Sequence, residues 1–329
     1  MFQPESYAVA LAFMILSMLC WGSWANAIKL CPGFRLQLFY WDYAGGLLLG
    51  SLVWGFTLGS LSGSGRPLLK DLLHADPRHI LLAFAGGVIF NAGNLLLLAA
   101  IDFAGLAVAF PVGVGLALAL GAVSSYVVTP QGNPWMLFGG VALVLSAIFF
   151  DAAAYRLRER VRRAASMRGV VLSLCAGILL GTSYPFVAKS MVGDHAPGPY
   201  AISVIVAFGV IACSLPLNYL LMRRPLDGGA PVSISGYFIA PYKWHLWGIL
   251  GGAIWCSGAV LNFVAARAQI VGPAVSYSIG QGAIMISAGW GVFFWREFAQ
   301  APVRSRRFLV LMFLLFVAGL CSIALSPVV

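Results

Sequence analysis

Apolar segments long enough to cross a ~30 Å hydrocarbon layer recur about ten times along this chain, each roughly 20 residues. They lie near 7–28, 38–58, 79–101, 104–126, 134–152, 170–190, 198–221, 245–265, 273–295 and 308–326. No other feature narrows the fold so far. In lipid, every backbone N–H and C=O must find its partner within the chain, so open segments of this length form α-helices. The connections between them are short and leave no room for a separate soluble domain. Charged residues make up 9% of the chain and apolar ones 61%, against about 25% charged in an ordinary soluble domain. The first segment lacks a basic start and a small-residue cleavage site, so it reads as a span and not as a removable signal.

The two halves repeat each other. Gly86-Gly87-x-Ile89-x-x-x-Gly93 returns as Gly251-Gly252-x-Ile254-x-x-x-Gly258. Downstream, Gly105-x-Ala107-Val108 with Gly113-x-Gly115 returns as Gly272-x-Ala274-Val275 with Gly280-x-Gly282. Earlier, Ser23-Trp24-Ala25-Asn26-Ala27-Ile28-Lys29 aligns with Ser183-Tyr184-Pro185-Phe186-Val187-Ala188-Lys189. A repeating unit with an odd number of spans inserts upside down the second time. The expected fold is therefore an all-α membrane protein of ten transmembrane helices in two inverted five-helix repeats. The boundaries are 1–152 for the first repeat, 153–169 for a basic linker and 170–329 for the second. Inverted repeats are the architecture of alternating-access carriers, with substrate held near the bilayer midplane.

A net charge of +10 would suggest nucleic acid in a soluble protein. Here the basic residues sit in loops, where they set orientation. The richest group is Arg156, Arg158, Arg160, Arg162, Arg163 and Arg168. With that loop cytoplasmic, Lys29, Arg35, Arg223, Arg224, Lys243, Arg296, Arg304, Arg306 and Arg307 fall on the same side. The opposite side keeps Arg66, Lys70, Arg78, Lys189 and Arg267, so both termini are expected to be extracytoplasmic. The six cysteines include no Cys-x-x-Cys pair, and they read as small apolar packing residues. His-Glu-x-x-His, Gly-x-Ser-x-Gly and phosphate-cradling loops are absent from the sequence, which argues against an enzyme and against direct ATP drive. No metal and no cofactor is called for. The partners expected are a small-molecule substrate and the lipid bilayer; oligomeric state stays open.

Polar residues inside spans are costly unless they face protein or water. In span one, Asn26 is expected to point inward beside Trp21 and Trp24, each either an interfacial anchor or a pocket wall. Span two opens with Tyr40-Trp41-Asp42-Tyr43. Asp42 falls about one turn inside; it is a proton-coupling carboxylate, the partner of Lys29 or a cap on the first helical turn. Asn91 and Asn94 share a face of span three, with ligand binding weighed against interhelical bonding. In span four, Pro111, Gly113 and Gly115 form a hinge or packing segment; its counterpart in span nine contains Ser276, Tyr277, Gly280, Gln281 and Gly282. Paired interruptions at matching places point to the binding site. Tyr184 in span six and Trp255 in span eight complete the aromatic set. Arg267 reads as a snorkelling side chain.

Ten spans, a five-plus-five repeat and glycine-rich fourth and ninth spans resemble the drug/metabolite transporter superfamily. Within it the chain is similar to the ureide permease group and its bacterial relatives, near the glucose/ribose porter-type proteins. The residues carrying this are Leu19-Cys20-Trp21-Gly22-Ser23-Trp24, Tyr40-x-Asp42-Tyr43, Gly55-Phe56-Thr57-Leu58-Gly59, Gly93-Asn94-Leu95 and Gly105-Leu106-Ala107-Val108. The resemblance is densest over residues 7–126. It implies secondary active, proton-linked uptake of neutral planar polar solutes such as allantoin and uracil. Plant members carry a longer central loop with a Walker-A-like stretch, whereas this loop holds only arginines, so regulation tied to that loop does not carry over.

The expected function is a proton-coupled importer in the bacterial inner membrane working by alternating access. Trp21, Trp24, Tyr184, Trp255 and Tyr277 would stack on a flat ring. Asn26, Asn91, Asn94, Ser276 and Gln281 would read its edge. A monosaccharide transporter is the first alternative, since sugars also use aromatic faces with amide partners; a drug exporter is the second.

Overall fold

The computed structural model describes residues 1–61, 65–104, 106–158, 166–225, 230–268 and 270–329, with only the backbone described for Asp102, Leu106 and Ala107. Gly105 of the repeat motif and Arg160, Arg162 and Arg163 of the basic linker lie outside the described residues. The elements are α1 (Tyr7–Ser23), α2 (Asn26–Lys29), α3 (Leu36–Phe56), α4 (Leu68–His74), α5 (Pro77–Ala104), α6 (Leu106–Val128) and α7 (Pro134–Arg158). After the linker come α8 (Met167–Ser190), α9 (Pro199–Arg223), α10 (Ser235–Phe238), α11 (Tyr242–Arg267), α12 (Pro273–Gly280), α13 (Ala283–Gly289), a π-helical turn (Trp290–Phe294) and α14 (Val303–Leu325).

Among the described residues, eight helical segments are long and apolar enough to cross a membrane. Two of the ten expected spans fall outside that set. One is α3, a 21-residue helix whose first turns carry Tyr40, Trp41 and Asp42. The other is the segment from Pro273 to Phe294, broken at Gln281–Gly282. The break appears in only one half. α6 runs as a single helix through Pro111, whereas the residues around Gly280 and Gly282 divide the ninth segment.

Glycines let the helices meet backbone to backbone. A Cβ on Gly252 would stand 2.0 Å from the Tyr43 carbonyl oxygen of α3, and one on Gly87 would stand 2.3 Å from that of Val206 in α9. These two glycines are equivalent in the sequence repeat, and each packs on the second long helix of the opposite half. The preceding pair behaves alike: Gly86 lies against Ser183 and Val187 of α8, and Gly251 against Trp24, which follows α1, and Ala27 of α2. A third pair, Gly93 and Gly258, meets Leu180 of α8 and Cys20 and Trp21 of α1. Small residues at such crossings replace the missing hydrophobic drive with close packing.

Named contacts fix the helix directions. Asn218 reaches the Gln37 carbonyl while Tyr200 faces Gly59, so α9 and α3 are antiparallel. Ser305 bonds Ala154 and Ser322 bonds Met136, which makes α14 and α7 antiparallel. Helices α3 and α11 run parallel, with Gly46 on Ile249 and Gly50 on Ala253. Helices α5 and α9 also run parallel, through Gly87 on Val206 and Asn91 on Ser214. It follows that α5 and α11 point in opposite directions.

Candidate functional site

Between these helices lies a cavity of about 260 Å³, near the small end of typical ligand sites. Eight residues singled out from the sequence border it, Gly280 among them. Trp21, Trp24, Tyr184, Trp255 and Tyr277 supply aromatic wall, while Asn94 and Gln281 supply amides. Phe90, Phe110 and Phe263 complete the ring surfaces, and Ser183 adds a hydroxyl. No charged side chain borders it among the described residues. Trp21 stacks on Trp255 with centroids 5.9 Å apart, and Phe90 lies 4.7 Å from the same indole. Tyr184 and Tyr277 stand 4.7 Å apart at the opposite wall. Such rigid, tilted rings suit the face of a flat ligand.

Packing positions each wall residue. A Cβ on Gly280 would fall 2.6 Å from the Trp21 ring, so only glycine lets α12 approach that indole. Gly282 approaches Met18 in the same way, and Gly113 approaches Leu97, whereas Gly115 makes only ordinary contact with Leu145. Pro111 sits between Phe110 and Val114, which both face the cavity. The Tyr277 hydroxyl donates to the Ala117 carbonyl at 3.1 Å. The Tyr184 hydroxyl donates to Asn262 Oδ1 at 2.5 Å.

Two amides expected to read the ligand lie off the wall. Asn26 accepts from Trp295 Nε1 at 2.6 Å and donates to the Ser23 carbonyl at 2.9 Å, fastening the end of span one to the π-helical turn. Asn91 is fully buried between Tyr40 and Ser214. Ser276 is likewise buried, its hydroxyl bonded to the Asn262 carbonyl. Each met the cost of an intramembrane polar group with a protein partner. The sequence had named the demand without naming the partner.

Asp42 also lies away from the cavity, and it does not pair with Lys29. His245 Nδ1 stands 2.8 Å from Asp42 Oδ2, and the Tyr237 hydroxyl donates to Oδ1. Burial, and then the bond to the Asp42 carboxylate, push the Tyr237 phenol up to about 12. Lys29 instead meets Glu297 at 2.5 Å, with Arg158 on the second carboxylate oxygen at 2.7 Å. Burial alone would raise the Glu297 carboxyl, but the bonds and charges of Lys29 and Arg158 outweigh it and hold it below its usual range. Arg267 turns inward to the Pro197 carbonyl at 2.6 Å and does not snorkel.

Residues missed from the sequence include Tyr40, the link between the two asparagines, and His245, the partner of Asp42. Only its spacing of three residues before Gly248, which packs on Asp42, could have paired it with that carboxylate.

The chain is similar to known proteins along its whole length. Residues 39–184 match the family model described as ureide permease. Ureide permease 4 and ureide permease 1 of Arabidopsis thaliana are 25% and 22% identical to the chain, each alignment covering 99% of both proteins. A probable ureide permease A3 of Vigna unguiculata is 30% identical over 44% of the chain and 40% of its own length. A crystal structure described only as that of a protein shares the fold, with a TM-score of 0.65 at 17% identity, covering 96% of this chain and 97% of the other. The chain is thus similar to ureide permeases, most densely over residues 39–184, and its long apolar helices are those of a multi-pass membrane protein.

Proposed function

We propose that the protein is a secondary carrier, and not an enzyme, for small neutral planar solutes: ureides such as allantoin first, nucleobases such as uracil next. The observation that carries the reading is the uncharged, aromatic-walled cavity at the centre of the bundle, with Asn94 and Gln281 on its wall. A flat heterocycle gains ring contact on several sides there, and its edge finds amides. A free ammonium or carboxylate would enter without a counter-charge, which low-dielectric surroundings penalise heavily. The names of the relatives, ureide permeases throughout, point to the same chemistry.

The carrier belongs, on this reading, with the drug/metabolite transporters: two five-helix units, 1–152 and 170–329, inserted in opposite senses around the cavity. Reciprocal packing supports it, since equivalent glycines of each unit contact corresponding helices of the other. So do the opposed directions of α3 and α9, α5 and α11, and α7 and α14. Alternating access then needs two states of similar energy, each opening the cavity to one side. The ninth segment, broken beside Gln281, is the hinge. Uptake is inward across the bacterial inner membrane and is coupled to protons through Asp42, now with His245 as its partner. An Asp42→Asn protein should keep ligand binding and lose the pH dependence of uptake; unchanged pH dependence would remove Asp42 from the coupling step.

A thermal-shift panel on purified protein tests the substrate class, using allantoin, uracil, glucose and a lipophilic amine. Stabilisation by allantoin or uracil supports the proposal. Stabilisation by glucose alone would replace it with monosaccharide transport, and by the amine alone with drug export.

A further inference from the structure

A line of hydrogen bonds with one favoured direction ends at the cavity. It begins at the backbone, where Ser214 Oγ donates to the Val210 carbonyl at 2.8 Å. With that proton used, Ser214 can only accept, so the Asn91 group facing it at 3.1 Å is the amide nitrogen. Asn91 Oδ1 therefore faces Tyr40, whose hydroxyl donates to it at 2.6 Å. The Tyr40 oxygen, its proton committed, accepts from Asn94 Nδ2 at 3.1 Å. Asn94 is thus held through one N–H of its nitrogen, which orients the amide and leaves its Oδ1 as acceptor for the cavity it borders, beside one remaining amide proton. Reversing the line would take the Ser214 proton from Val210 and leave one hydrogen bond fewer. Ser214, Asn91 and Tyr40 are all buried, where no water replaces a lost bond.

Several other groups on or behind the wall also have their protons committed to protein, although the indole N–H groups of Trp24 and Trp255 are not among them. Trp21 Nε1 donates to the Trp255 carbonyl at 3.1 Å, and the Ser183 hydroxyl to Leu180 at 2.7 Å. Asn262 is oriented by its own Nδ2 bond to the Ser276 carbonyl at 2.8 Å, so its Oδ1 takes the Tyr184 proton. The Tyr277 proton goes to Ala117. The hydroxyls of Ser183, Tyr184 and Tyr277 keep lone pairs, and the Trp21 indole has no donor left. Gln281 adds an amide that offers either character.

We propose that the cavity recognises its cargo through the cargo's N–H groups, with Asn94 Oδ1 as a principal acceptor. Tyr40, Asn91 and Ser214 are positioning residues: they never reach the ligand, and they hold that oxygen forward. This deepens the ureide reading and rests on it for the choice of probes, because cyclic ureides present several N–H groups in one plane. A site built to bond a donor rejects the analogue lacking it far more strongly than a hydrophobic pocket rejects a changed methyl.

Hydantoin and its 1-methyl, 3-methyl and 1,3-dimethyl derivatives remove ring N–H groups while keeping both carbonyls. Affinities measured on purified protein should fall about tenfold or more along this series in the wild type. In Tyr40→Phe and Ser214→Ala proteins, hydantoin should still bind and the series should compress to about twofold or less, because the Asn94 amide can turn either end forward. A flat series in the wild type overturns recognition through N–H. A steep series unchanged in both variants overturns the positioning role. If neither hydantoin nor allantoin binds the wild type, the ureide reading falls, and the relay is judged without ligand. In protein labelled with ¹⁵N-asparagine, one side-chain amide proton of Asn94 should exchange slowly and lose that protection in Tyr40→Phe. Rapid exchange of both protons in the wild type overturns the relay itself.

Discussion

Asn91 and Asn94 stand three residues apart on one helix, yet one is sealed among protein groups and the other borders the cavity. Sequence spacing places both on one face to within about 60°. That was enough to mark the face and too coarse to divide the roles, because Tyr40 arrives from α3 and claims the space between them. The aromatic wall was legible for a simpler reason: large rings flanking small residues in membrane helices have few places to go except a cavity or the interface. Gly280 shows how closely that wall is set. Replacing it with alanine puts a methyl 2.6 Å from the Trp21 ring, so Gly280→Ala should destabilise by about 1–3 kcal/mol and weaken ligand binding. Thermal unfolding and indole fluorescence check both parts. Gly45 and Gly139 offer a contrast, since a Cβ there meets nothing within 4 Å. Both lie inside helices, where alanine replaces backbone freedom with helix propensity. Gly45→Ala and Gly139→Ala should each stabilise by about 0.5–1 kcal/mol, read as a raised unfolding temperature with unchanged binding.

Among the elements, the ninth segment departs most from the pattern in the sequence. A proline in the fourth span and glycines in the ninth promised matched interruptions, but only the ninth breaks. Pro111 lies near the start of α6 and sacrifices one bond while the helix continues. In the ninth segment Gly280 and Gly282 both press against span one, and the close fit is met by breaking the helix between them. Its far end is then pinned. Trp290 donates to Ser23 Oγ, Trp295 to Asn26, and Arg296 takes a left-handed φ of 52° before Glu297 reaches Lys29 and Arg158. Because the Glu297 carboxyl is held below its ordinary 4.5, its contribution is complete above that value and fades as pH falls through the lowered one. The stability gap between wild type and Glu297→Gln should therefore shrink on acidification. At neutral pH it should be about 0.2–1 kcal/mol for each partly exposed pair. Thermal unfolding at two pH values measures it, and a gap that widens in acid would contradict the assignment.

For the molecule as a whole, the all-helical membrane class was legible because hydrocarbon permits so few alternatives. The close crossings were legible because they demand glycine, and Gly86, Gly87, Gly93, Gly251, Gly252 and Gly258 each meet a neighbouring helix. The ion pairs were not legible, since Lys29 had an acid in Asp42 nearer in sequence than Glu297, and only assembly chooses between them. The distribution of arginine and lysine also predicts an orientation. Epitope tags at residues 1 and 329 should both be labelled in intact cells, and labelling only after permeabilisation would reverse the proposed topology.

The uncharged lining has an electrical consequence. A voltage across the membrane does about 2.3 kcal/mol of work on each elementary charge per 100 mV, and a neutral cargo among neutral walls gives it nothing to pull on. On the proposed carrier reading, any current accompanying uptake would be carried by a coupling ion or by charges outside the lining, so removing the Asp42 carboxylate should leave binding electrically silent.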